Sequence, residues 1–144
     1  MALRLCPNFD SGMIIYSGAV VDRLHVNGIS YGRPKGGKIR SIEIGPEETI
    51  TELQYHKTAW WWEGTMCSFT LVTDVNTYHV GGFEEWKAQN PNGRYGYCGT
   101  KKFSVQIPTN QDINSFFESE IIYGRIKRFG SNWIIGFKSE TEIV

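Results

Sequence analysis

The sequence predicts a single all-β domain, and three observations carry that reading. Apolar residues fall in short runs rich in β-branched and aromatic side chains. Turn formers separate the runs, and no stretch keeps a 3.6-residue apolar period over three turns, which leaves little or no helix.

The strand signals lie, in order, at Met13 to Tyr16, Val20 to Val26, Ile39 to Ile44, Ile50 to Tyr55 and Phe69 to Thr73. They continue at Thr77 to Val80, Phe103 to Ile107, Ile121 to Ile126 and Trp133 to Phe137. Between them stand Val26-Asn27-Gly28, Gly36-Gly37, Gly45-Pro46 and Asn90-Pro91-Asn92-Gly93, the residues that tight turns favour. The chain of 144 residues is the size of one domain (1–144), and its 40% hydrophobic content suffices for a core without staples. Internal similarity adds architecture. Ile39 to Leu53 (IRSIEIGPEETITEL) parallels Phe103 to Phe116 (FSVQIPTNQDINSF), each a strand, a Pro-containing turn and an Ile-Thr or Ile-Asn step into a further strand. Gly-containing starts at Ser17-Gly18, Gly64-Thr65 and Gly130-Ser131 give a fainter third echo, so repeated four-stranded units would assemble as three sheets around one core.

Charge narrows the function classes. Fifteen basic residues balance fifteen acidic ones, which leaves no overall field to draw nucleic acid or an anionic membrane. The local cluster Arg125, Lys127 and Arg128 reads as a solvated face. No run approaches the roughly 18 apolar residues of a membrane span. Met1 to Pro7 is too short for a signal peptide, so a cytoplasmic protein or a secreted, mature form without its leader is expected. Cys6, Cys67 and Cys98 are odd in number and lack metal spacing. Reduced thiols are the default, with a Cys67 to Cys98 bridge open to the chain in an oxidising compartment.

Two segments break the regular pattern. Trp60, Trp61 and Trp62 stand in succession, so in an extended chain at least one indole approaches the surface. They either cap the open end of the core or form a stacking platform for a sugar ring, whose C–H face suits an indole. Residues 84–100 form a long polar insertion rich in Gly and Asn.

Catalytic patterns are missing. His25, His56 and His79 stand singly, without a second ligand type at metal spacing. Gly36-Gly37 and Gly81-Gly82 lack the Lys-Ser or Lys-Thr of a phosphate loop, and read as turns. Glu47-Glu48 and Glu84-Glu85 are adjacent pairs, which point to opposite faces of a strand. No enzyme activity, metal or cofactor is expected.

Ser17-Gly18-Ala19-Val20-Val21-Asp22, the strand to Val26 and the glycines from Gly32 to Gly37 resemble the first repeat of the jacalin-related lectins. Gly37 to Leu53, with Gly45-Pro46-Glu47-Glu48 at its centre, is similar to that family's second strand pair, and Phe69 to Asp74 with Tyr78 to its central pair. Gly124-Arg125 and Gly130 to Phe137 are similar to its closing segment. The resemblance covers roughly residues 10 to 138. It implies a β-prism of three four-stranded Greek-key sheets with pseudo-threefold symmetry, and metal-free carbohydrate binding, of mannose/glucose type or related, at strand-connecting loops.

In such a site an aspartate accepts hydrogen bonds from neighbouring hydroxyls, and glycines let backbone amides approach the ligand. The resemblance points to Gly18, Ala19 and Asp22, with Gly36 and Gly37 as the partner loop. It also points to the closing loop Gly130, Ser131, Asn132 and Trp133, although there the family's aspartate aligns with Trp133 or Ile134. Alternation from Leu24 and Val26 would make Asp22 a strand-end carboxylate satisfying buried amides, and this structural role stays open beside sugar contact. The expected partners are glycans or glycoproteins and not nucleic acid, with a homo-oligomer an option. Membrane contact would come only through glycans or exposed aromatics. The rival class is a prism without sugar binding, acting as a protein-interaction or membrane-targeting module through its exposed aromatics and the 84–100 insertion.

Overall fold

The expected alternation turns into strands in the computed structural model, which describes residues 13–17, 21–32, 38–42, 44, 48–58, 65–79, 98–108, 110–126 and 132–143. Met13–Ser17 (β1), Val21–Val26 (β2), Ile29–Gly32 (β3) and Lys38–Ile42 (β4) form an antiparallel sheet in the order β3-β2-β1-β4. Asn27 and Gly28 have φ of 49° and 81°. This pair of positive angles matches the right-handed twist of a two-residue hairpin, so the turn sets β3, whose own strand signal is weak.

Ile50–Thr58 (β5), Met66–Thr73 (β6), Thr77–His79 (β7) and Cys98–Gln106 (β8) follow, and Ile121–Ile126 (β9) pairs with Asn132–Phe137 (β10) as a hairpin. The last strand, Thr141–Ile143 (β11), joins the free edge of β8, which gives a sheet in the order β11-β8-β5-β6-β7. In both larger sheets the fourth strand of a run lies beside the first, as β4-β1-β2-β3 and β8-β5-β6-β7, which is Greek-key order. The expectation of three four-stranded sheets is therefore met in the first sheet alone. The second has five strands, and the third is a two-stranded hairpin among the described residues.

The reason for β11's position lies in the turn before it. Glu140 accepts a hydrogen bond from the Tyr55 hydroxyl and pairs with the Lys57 ammonium, both on β5. These contacts draw the chain across to the β8 edge instead of back along β10.

A second departure is a helix, Ile113–Glu120 (α1), where a strand was expected after Ile113-Asn114. Asp112 caps it, accepting from the Ser115 amide at 3.1 Å. Ile113, Phe116 and Phe117, at helical spacing, then turn to the core. Two turns are too few to show as a period in the sequence.

Phe117 does more than fill space. Its ring meets Tyr31 of β3 edge-on at 5.4 Å and Phe137 of β10 at 5.2 Å. Phe137 continues to Tyr55 of β5 at 6.4 Å, and Tyr55 stacks on Phe103 of β8 at 6.3 Å. One aromatic chain thus joins all three sheets, and Leu24, Ile44, Leu53, Phe69, Leu71 and Val105 pack within the same buried cluster. The Thr65 hydroxyl, fully buried, accepts the Ile135 amide at 3.0 Å and ties β10 to the start of β6.

Asn114 fastens the helix to the first sheet. Its side-chain amide donates to the Val26 carbonyl and the Tyr31 hydroxyl, both at 3.0 Å, and its oxygen accepts from the Asn27 side chain at 3.1 Å. A buried amide is tolerated here because each of these groups gains a partner. Cys67, fully buried on β6, is disulfide-bonded, which overturns the expectation of reduced thiols. An inaccessible sulfur in such a bond acts as a staple and not as a reactive thiol.

Candidate functional site

Backbone irregularity singles out Asp22. Tyr16 pairs with Arg23 and Ser17 with Val21, so the β1–β2 register skips Asp22, which sits in a β-bulge at the entry to β2. Bulges interrupt strict alternation and re-aim the chain. Asn132 and Trp133 lie at the start of β10, with Trp133 paired to Arg125. For these three residues the backbone alone is described. Gly18, Ala19, Gly36, Gly37, Gly130 and Ser131, the indoles Trp60, Trp61 and Trp62, and residues 84–97 of the expected 84–100 insertion lie outside the described residues, while its last three residues, 98–100, open strand β8.

A second polar feature is fully described. On β5, Leu53 and Tyr55 face the core, which sends Glu52, Gln54 and His56 to the outer face; on β8, Phe103 and Val105 point inward and Ser104 and Gln106 outward. The register sets Glu52 opposite Gln106, and Gln54 opposite Ser104, with Thr141 of β11 opposite Ser104 on its other side. These five side chains line an open trough of about 460 Å³, with Ile143 at its rim.

The polar groups in the trough are ordered before any ligand arrives. The Gln106 amide donates to the Ser104 hydroxyl at 3.0 Å, and that hydroxyl donates to the Glu52 carboxylate. The relay fixes one oxygen of the Glu52 carboxylate. Below it, the Tyr55–Glu140–Lys57 cluster holds the turn that forms the far wall. Burial, and then the Glu140 carboxylate, push the Tyr55 hydroxyl far above the usual tyrosine range, so it stays a donor. The Lys57 ammonium also lies 4.6 Å from the centre of the Phe103 ring.

Other polar residues have structural tasks. The Glu48 carboxylate accepts from the Tyr78 hydroxyl at 2.7 and 2.9 Å and from Thr73 at 2.6 Å, while Asp74 accepts the Thr49 amide at 3.0 Å. Together they lock the β6–β7 turn against the approach to β5. His79 shares a hydrogen bond with Thr70 at 3.0 Å, and His25 one with Ser30 at 2.7 Å. Desolvation, and then the charge of Arg23, lower the pKa of His25 and favour its neutral form. Among the described residues no group of three or more His, Cys, Asp or Glu could hold a metal ion, and no helix is long and apolar enough to cross a membrane.

The sequence reading missed Glu52, Gln54, Ser104, Gln106 and Thr141. A signal existed in the polar alternation Glu-x-Gln at 52–54 and Ser-x-Gln at 104–106, but only the pairing of β5 with β8 brings the two together. Comparison with models of known protein families finds no match, and comparison with curated proteins finds none either.

Proposed function

We propose that the protein is a non-enzymatic carbohydrate-binding domain of β-prism type, related in design to the jacalin-related lectins, and that it holds a mannose/glucose-type or related glycan at strand-connecting loops. The observation that carries this reading is the Greek-key order of both larger sheets, the arrangement that the sequence resemblance requires of its first two repeats. In this reading the β9–β10 hairpin belongs to the third unit, and the aromatic chain through Phe117, which links the three sheets, supports a shared core.

Asp22 is the hydroxyl acceptor in this reading. Its place in a bulge, with Val20 and Val21 between it and the Gly18-Ala19 segment, supports the assignment, because a bulge frees a residue from the pairing that its neighbours obey. Gly18, Ala19, Gly36 and Gly37 supply backbone amides, the closing loop Gly130 to Trp133 a further wall, and the Trp60 to Trp62 indoles a stacking surface. The assembly binds without bond making, so glycans or glycoproteins are its partners.

The test is Asp22→Ala. Signal on a glycan array should disappear while the melting temperature barely changes. A large loss of stability with binding retained would make Asp22 a structural carboxylate and remove it from the site.

A further inference from the structure

We propose that the outer face of the five-stranded sheet is a second binding site, specific for a neutral or amino-bearing polyhydroxylated ligand such as a short oligosaccharide, formed by Glu52, Gln54, Ser104, Gln106 and Thr141. This site shares no residue with the proposed sugar loops around Asp22 and stands or falls independently of that reading.

Size is the first argument. A trough of about 460 Å³ lies within the ~300–1,000 Å³ range of small-molecule sites. Chemistry is the second. One carboxylate, two amides and two hydroxyls converge on a single face, a set rich in acceptors with amide donors beside them. Ligand hydroxyls donating to Glu52 would form charge-assisted bonds, and the Gln54 amide can both give and accept.

Rigidity is the third argument. All five residues stand on paired strands, and the Gln106–Ser104–Glu52 relay orders the carboxylate before the ligand binds. Little side-chain freedom is then lost on binding. Ile143, 42% exposed at the rim, offers an apolar patch to the C–H face of a sugar ring.

Charge selects the ligand class. The lining carries the carboxylates of Glu52 and Glu142, and Lys101 pairs with Glu142 at 3.7 Å at the margin. Phosphate and carboxylate ligands would meet Glu52, and among the described residues no cation lines the trough to offset it. Neutral sugars and amino sugars would not.

The experiment is an NMR titration of the 15N-labelled full chain with methyl α-mannoside, methyl α-glucoside, cellobiose and glucosamine, each in turn. Saturable shifts are expected at the backbone amides of residues 52–54, 104–106 and 141–143 with at least one probe. Glu52→Gln, which keeps the shape and loses the charge-assisted bonds, should weaken that binding about tenfold. Gln106→Ala should weaken it as well, and serves as the second variant if Glu52→Gln loses its dispersed spectrum. Asp22→Ala should leave these shifts intact, whatever it does to signals from the loops. Absence of saturable shifts at these amides with all four probes overturns the proposal, as does undiminished affinity in both trough variants. Loss of the loop signals alone in Asp22→Ala bears on the loop site and not on this one.

Discussion

Replacing Asn114 by alanine isolates the link between the helix and the first sheet. The substitution deletes two donated bonds, to the Val26 carbonyl and the Tyr31 hydroxyl, and one accepted from Asn27. Each such bond contributes about 0.5–1.5 kcal/mol net, and a partner left buried and unpaired costs more. Asn114 is 9% exposed and Val26 is buried, so water reaches the orphaned groups poorly. A loss of about 2–4 kcal/mol follows, which in a domain of this size lowers the melting temperature by roughly 5–15 °C. Urea unfolding followed by tryptophan fluorescence measures it directly. Tyr31→Phe in the same background should cost less than it does in the wild type, because the two share a bond. A loss below about 0.5 kcal/mol, the level of an ordinary surface substitution, would refute the view that Asn114 fastens α1 to the β2–β3 hairpin.

Two further predictions concern groups on the second sheet. Tyr55 has its pKa raised in the folded protein, so above about pH 10 the unfolded chain releases a proton that the folded chain retains. Stability should therefore be full below that pH and fall as pH rises through the alkaline range, and Tyr55→Phe should make the decline shallower; urea midpoints measured across that range test this, and an equally steep decline in the variant would contradict it. Cys67 is disulfide-bonded, so thiol titration of the unreduced, unfolded chain should find one free thiol among its three cysteines; Cys67→Ser should cost about 2–4 kcal/mol, and three titratable thiols before reduction would be the contrary result.

The parts of this fold that depend on local pattern are legible in the sequence. Leu53 and Tyr55 against Glu52 and Gln54 announce a half-buried strand, and Asn27-Gly28 announces a hairpin turn. What depends on partners is not legible. Helix α1 has only two turns, and its cap at Asp112 follows a Pro-containing loop that resembles a strand connection. Strand β11 is a three-residue segment positioned by contacts of Glu140 with Tyr55 and Lys57, residues more than eighty positions earlier.

The candidate sites divide in the same way. Asp22 could be named from its spacing to Gly18, but the bulge in which its backbone sits exists only in the pairing of β1 with β2. The trough around Glu52 shows in sequence only as two unconnected polar alternations, at 52–54 and 104–106. Its two halves lie about fifty residues apart in the chain and meet only through the β5–β8 register.

A glycan array probed with the wild-type protein tests the central claim most directly. The account predicts saturable binding to a defined subset of glycans, displaced by free monosaccharide of the same type. A blank array from a folded protein would contradict it.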